Sequence, residues 1–284
     1  MNAADPVRRV AVSGERGRDD LSRHNVWTLA AVGFLAYYVT VMWHEVLGHG
    51  TVMYLFGERH FILTSTSMFS QSAHSAGQQV SLSSRLIVLG GPFSNTLLGF
   101  VLYPVFRSLA RSNANVTVRY LFWLLTALNF FLGFAYMVFS GIFGVGDFAI
   151  AIAFLPYHPL LRVLEVLVGT GLCAATVRFF AVSFAEFPEE LWRLALVPYI
   201  SATLVFCLAG LRNPAGAYIM MASVVPAALM GQGILHFVTP VARRLRPAVP
   251  RPQAVAFSPA AILTALVFVV VIFLTAPGVR FTLP

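Results

Sequence analysis

The sequence contains no lysine and few charged residues of any kind. Charged residues make up 11% of its 284 positions, whereas 58% are hydrophobic. A soluble globular chain usually carries about 25% charged residues, because its surface must be polar. The shortage of charge excludes an ordinary soluble protein. It predicts instead a multi-pass protein of the cell membrane, with the lipid bilayer as its surroundings.

The sequence also lacks features that bind nucleic-acid bases, and it lacks paired cysteines. The net charge of +8 comes from arginine, but no basic stretch is interleaved with aromatic residues, so nucleic-acid binding is not expected. Arginines beside membrane spans set topology, and their distribution here predicts an N-terminus inside and a C-terminus outside. Cys173 and Cys207 lie in apolar segments and are interpreted as core residues rather than as a disulfide.

Long apolar segments account for most of the chain. A membrane-spanning helix needs about 20 residues, and the sequence predicts an all-α, polytopic transmembrane helical bundle of six or seven spans. The stretch 148–155 is too short to cross and is expected to be re-entrant. Residues 1–26 are polar and predict a disordered tail, and a polar loop with a β-prone run follows the first span. The seven candidate spans are 27–56, 85–106, 119–140, 159–180, 191–211, 215–238 and 257–277.

The first apolar segment contains three ionisable residues, His44, Glu45 and His49. Ionisable groups at membrane depth are costly and are candidates for function. Two imidazoles on one helical turn can bind Zn²⁺, and an adjacent glutamate can act as general base on an activated water. The alternative is two unrelated polar contacts between packed helices.

The spacing of these histidines is one residue longer than the usual His-Glu-x-x-His. On a regular α-helix, residues five apart differ by about 140° around the axis, so both rings could not meet one ion. A single π-bulge would realign them, and such bulges cluster at functional sites. Gly48, just before His49, makes the distortion easier. The six residues look like the His-Glu-Leu-Leu-Gly-His motif of the soluble dipeptidyl-peptidase III family, in which both histidines bind zinc.

A catalytic zinc ion requires a third protein ligand and an open position. Asp147 follows a glycine-rich stretch, and the topology lets it approach His49; the alternative is a helix-capping aspartate. His60 and His74 also remain candidates. Glu165 is expected to pair with Arg162, three residues earlier.

Glycine and proline interrupt the second span at Gly90, Gly91 and Pro92. They are expected to break the helix, so that Asn95 could bond a substrate carbonyl or stabilise an oxyanion. The alternative is a packing kink in which Asn95 bonds a neighbouring helix.

Together these motifs resemble the site-2 protease family of intramembrane zinc metalloproteases. That family pairs a His-Glu-x-x-His helix with a later aspartate and with a Gly-Pro-x-x-Asn motif in the next span. Here Gly91 to Asn95 matches the second motif, and Asn129 resembles the asparagine that the family carries before its aspartate. The resemblance covers residues 35–150. The family usually places its site toward the cytosol, whereas the arginine distribution here places it outside.

The resemblance implies a zinc-dependent intramembrane endopeptidase with a membrane core at 27–155 and accessory transmembrane helices at 156–284. Zn²⁺ would be held by His44, His49 and Asp147, with Glu45 and Asn95 as catalytic residues. The implied substrate is a single-span membrane protein, unwound and paired with a strand edge in the loop 57–83.

Three other functions are consistent with parts of this pattern. A non-catalytic metal-binding protein of the same fold would keep the ligands without turnover. A transporter would also use broken helices with polar residues near the midplane. A di-iron desaturase would share the first histidine box, but it needs further boxes, and the seven histidines include no adjacent pair.

Overall fold

The computed structural model describes residues 24–70, 80–112, 114–184, 187, 191–214, 224–225, 231–245 and 254–284. Residues 1–23 of the expected tail, and His74, lie outside the described residues. Helices dominate the described chain, and five of them are long and apolar enough to span a membrane. The predicted all-α transmembrane bundle is thereby confirmed. The helices are α1 Val26–Met42, α2 Thr51–Leu55, α3 Leu82–Arg111, α4 Val116–Phe143, α5 Asp147–Ile152, α6 His158–Phe184, α7 Leu191–Gly210, α8 Leu235–Leu245 and α9 Pro259–Thr275.

Five of the seven expected spans coincide with helices long enough to cross a membrane. A π-helical turn, Trp43–Gly50, joins α1 to α2, so these elements form one 30-residue span, Val26–Leu55. The span expected at 215–238 lies largely outside the described residues. The last expected span is α9, an apolar helix of 17 residues. The stretch after Gly146 forms the short helix α5.

Helix α4 lies at the centre of the bundle and is the most buried of the five spans. It packs against α1, α3 and α6, while α1 also packs against α7 and α9. Aromatic rings fill the interior: Trp123 of α4 stacks on Phe184 of α6 with ring centroids 4.7 Å apart. This packing fixes α1, α3 and α4 relative to one another, and with them the π-helical turn that continues α1 and the short helix α5 that follows α4.

The expected helix break at Gly90, Gly91 and Pro92 is wrong, because α3 continues through all three residues. The two glycines serve close packing instead. A Cβ at Gly90 would lie 2.7 Å from the carbonyl oxygen of Gly48, so only a residue without a side chain lets the two helices approach this closely.

The β-prone loop forms two strands, β1 His60–Leu63 and β2 Met68–Ser70, joined by a tight turn. A third strand, β3 Val279–Thr282, pairs antiparallel with the other edge of β1. The sheet order is β2-β1-β3. No local pattern predicts β3, because its pairing joins segments more than 200 residues apart. The expected accessory region therefore contributes directly to the sheet beside the candidate site.

Candidate metal centre

The π-helical turn brings the two histidines of the first span together. Residues Trp43–Gly50 are wound as a π-helix, as the spacing predicts. In a π-turn hydrogen bonds join residues five apart, so side chains five positions apart share a face. The Nε2 atoms of His44 and His49 lie 3.2 Å from each other, and their rings meet edge-on. Both side chains are buried.

Asp147 completes a group of three potential ligands. Gly144 and Gly146 take left-handed φ values of 69° and 90°, which form the sharp turn between α4 and α5. Oδ2 of Asp147 then lies 3.1 Å from Nε2 of His44 and 3.5 Å from Nε2 of His49.

The three ligand atoms fit a small tetrahedral ion. Ligands about 2.0–2.1 Å from a tetrahedral zinc ion lie about 3.3 Å from one another. The three separations here run from 3.1 to 3.5 Å. Among the described residues, this is the only group of histidine, cysteine or acidic side chains placed to hold a metal ion. His60, the other described candidate, is exposed on β1 and bonds Thr282.

A buried hydrogen-bond network fixes the ring of His44. Asn95 donates its amide hydrogens to the carbonyl of Thr40 at 3.1 Å and to Oδ1 of Asn129 at 2.7 Å. Its own Oδ1 is therefore the acceptor for His44 Nδ1–H at 2.6 Å. Asn129 is held in turn by Thr40 and Leu125. The protonated Nδ1 leaves the lone pair on Nε2 facing Asp147.

This network corrects the expected role of Asn95. Its side chain is fully buried, and its amide is bonded entirely within the protein. It therefore does not reach a substrate carbonyl or an oxyanion in this arrangement. The alternative, a bond to a neighbouring helix, is the one observed, and the neighbour is a potential metal ligand.

Helix α3 also orients the other two members of the group. His49 donates Nδ1–H to the carbonyl of Ile87 at 2.8 Å, which again leaves Nε2 free to bind. Arg85 donates to the carbonyls of Ala151 and Ala153 at the end of α5, the second at 2.7 Å. Such partners fix ligand orientation and raise metal affinity.

Arg162 holds the other side of the turn that presents Asp147. Its Nε and Nη2 donate to the carbonyls of Gly141 and Ile142, at 2.8 and 2.7 Å. The expected pairing of Arg162 with Glu165 is therefore wrong, because the guanidinium caps the end of α4. Both oxygens of Glu165 are buried without a hydrogen-bond partner within the described parts of the chain.

Glu45 lies on the same turn as the histidines but outside the ligand group. It is buried, and the backbone N–H of Met68 donates to its Oε2 at 2.9 Å. Its side chain lines a cavity of about 430 Å³ together with His44, His49 and Asp147. A carboxylate in this position can accept a proton from a water molecule beside the metal ligands.

The strand β2 forms one wall of this cavity. The backbone N–H of Thr64 donates to the carbonyl of Ser67, so the backbone polar groups of Ser67 point toward β1. In an antiparallel pair the next residue points its backbone groups the other way. The N–H of Met68 therefore points away from the sheet and donates to Glu45. The outer edge of β2 therefore runs beside the candidate site.

The chain was compared with protein-family models, with curated proteins and with solved structures, and none of them matches it.

Proposed function

We propose that the chain is a zinc-dependent endopeptidase of the cell membrane that cleaves transmembrane segments of other membrane proteins. One observation carries the proposal: two histidines and an aspartate converge on one point, and a glutamate outside the ligand group lines the same cavity. Two imidazoles and one carboxylate are a frequent ligand set of catalytic zinc. A purely structural zinc site has no need of a neighbouring base.

The depth of the site supports a substrate within the membrane. Along the axis of the 30-residue span, His44 lies roughly 16 Å from the end at Leu55. Water and substrate must therefore meet inside the bundle, where the cavity offers space for both.

Bound zinc would supply Lewis-acid activation of water and of the carbonyl group. In the proposed reaction Glu45 accepts a proton from the attacking water, whose oxygen bonds to the carbonyl carbon. The peptide C–N bond breaks, and Glu45 returns the proton to the leaving amine. Asn95 and Ile87 keep His44 and His49 in place throughout.

An unwound substrate is required, because helical backbone is already hydrogen-bonded to itself. An extended segment laid along the outer edge of β2 would pass directly beside Glu45. Its chain would then present a peptide carbonyl to the three ligand residues.

Zinc content and cleavage can be measured on the same purified protein in detergent. The cleavage probes are single-span model proteins with Gly, Pro or Asn within the span. We expect one zinc per chain, lost in His44→Ala and in His49→Ala and kept in the control His60→Ala. Glu45→Gln should keep zinc and lose cleavage by about 10²-fold or more.

Each departure from this pattern has a defined meaning. Full zinc in both histidine variants would refute the metal centre. Undiminished cleavage by Glu45→Gln would remove Glu45 from the mechanism. A zinc-loaded wild type that cleaves none of the probes would favour the non-catalytic metal-binding protein instead.

A further inference from the structure

The cavity at the candidate site continues into the bundle beyond the metal ligands. Tyr37 and Val41 line it on the same face of the first span as His44 and Glu45. Tyr37 precedes His44 by seven positions, which corresponds to about 10 Å of helix. The candidate ligands and Glu45 lie at one end of the cavity, here called the outer end. The other end, at Tyr37 and Val41, is the inner end, and it has no role in the proposed proton transfer.

The inner end is apolar and is built from several helices. Leu132 of α4, Phe206 of α7 and Val224 complete its lining. Phe206 packs edge-on against Tyr37 with ring centroids 4.7 Å apart, which closes this side of the pocket. Phe206 and Val224 belong to the region expected to be accessory, so that region supplies part of the wall of the site.

The opposite side of the same cavity is formed by the β2 wall, from Thr66 to Phe69. A substrate strand lying along that wall has side chains that alternate in direction. Side chains leave a sheet on its two faces, so when a carbonyl lies at the ligand residues, a neighbouring side chain on the face turned toward the helices points into the bundle. The apolar inner pocket is the space that this side chain meets.

We propose that this pocket, lined by Tyr37, Val41, Leu132, Phe206 and Val224, binds a large apolar side chain beside the scissile bond. The inference rests on the proposed function and adds a substrate class to it. Substrates with Leu or Phe at this position fill the pocket, whereas Ala or Gly leaves it empty. A larger side chain that fills the pocket removes more apolar surface from water. Substrates with larger side chains therefore bind more tightly.

Zinc-binding inhibitors test this selectivity without knowledge of the natural substrate. The probes are peptide hydroxamates with a methyl, isobutyl or benzyl group on the carbon next to the hydroxamate. Binding is measured on the purified zinc-loaded protein in detergent. We expect the isobutyl and benzyl compounds to bind about 10- to 100-fold more tightly than the methyl compound.

Two phenylalanine substitutions on α1 test whether the pocket is the source of the selectivity. Val41→Phe places a ring in the pocket and should abolish the preference for large groups while the methyl compound still binds. Val39→Phe adds the same ring to the exposed face of α1, where Val39 is 43% exposed. This variant should keep the wild-type preference for the larger compounds. Leu132→Phe fills the pocket from the opposite wall, and zinc content confirms that each variant is folded.

The outcomes distinguish the pocket from the function on which it rests. Equal binding of all three hydroxamates to zinc-loaded protein would overturn the pocket and leave the zinc site standing. Unchanged selectivity in both Val41→Phe and Leu132→Phe would also overturn it. Absence of both zinc and hydroxamate binding would overturn the proposed function and this inference with it.

Discussion

Gly91 of α3 lies directly against the Nε2 edge of the His44 ring. A Cβ atom at Gly91 would be 2.5 Å from Nε2 of His44 and 2.6 Å from Cε1 of His49. Such separations are shorter than any van der Waals contact allows. The backbone of α3 therefore forms one side of the candidate metal centre, and no other amino acid fits at this position without moving His44 or His49.

Gly91→Ala should consequently reduce zinc binding strongly. The added methyl group occupies the space next to both imidazoles, and we expect zinc well below one per chain by elemental analysis. Gly171→Ala on α6 is the matched control, because a Cβ there meets nothing within 4 Å. It should retain zinc and should not lower the melting temperature, since alanine favours helix over glycine. Full zinc occupancy in Gly91→Ala would contradict this geometry.

Asn95→Ala separates a role in orienting His44 from a role in contacting substrate. Removal of the amide frees the ring of His44, and loss of such a partner typically costs 10- to 100-fold in metal affinity, so we expect a loss of about that size in chelator competition. It also leaves buried groups of Asn129 and Thr40 without their partner, which costs about 1–3 kcal/mol of stability. Thr96→Ala is the control, since among the described residues that hydroxyl bonds within its own helix, to the carbonyl of Pro92. Unchanged zinc affinity with a raised KM would instead indicate a substrate contact.

The sequence indicates the three residues that meet at the candidate metal centre, because two are conspicuous within one span and glycines precede the third. Ionisable residues inside an apolar span are rare, so His44, Glu45 and His49 stand out. Their spacing also predicts the π-helical turn that the structure contains. Asp147 was recognised from the glycines before it, which provide the sharp turn that the structure requires.

The remaining features depend on contacts between distant segments. The glycines at 90 and 91 suggested a broken helix, yet they are required by the close approach of Gly48, which no local pattern reveals. Strand β3 carries too few residues to be recognised alone and exists through its pairing with β1. Arg162 was expected to bind Glu165 along its own helix, but the carbonyls ending α4 compete successfully for the guanidinium.

Arg85 should control zinc affinity from outside the ligand group. Its guanidinium holds two carbonyls at the end of α5, so Arg85→Ala releases the short helix that begins at Asp147. We expect zinc affinity to fall by about tenfold in chelator competition. Arg85→Lys has one ammonium group in place of the two guanidinium nitrogens that bond the carbonyls. It should therefore recover zinc affinity only in part. Arg107→Ala, an exposed arginine on the same helix, is the control, and an equal loss there would contradict a specific role for Arg85.

His24 joins the beginning of α1 to the segment before α9, away from the metal centre. Its Nδ1 accepts the N–H of Val255 at 3.1 Å, and Asn25 donates its N–H to the carbonyl of the same residue. Burial, with a smaller contribution from the charge of Arg193, lowers the pKa of His24 from 6.5 to about 4. A proton on Nδ1 would remove the acceptor and place a charge at a buried position.

Acidification should therefore weaken this connection between pH 6.5 and pH 4. Because the folded pKa is the lower one, the unfolded chain takes up the proton first, and the free energy of unfolding falls as the pH is lowered through this window. After allowance for solvent screening, we expect a loss of about 1–2 kcal/mol. His24→Gln keeps an acceptor that does not titrate, so melting temperatures of metal-free protein at pH 7 and pH 4.5 should differ less in this variant than in wild type. Equal differences in the two proteins would show that His24 does not carry the effect.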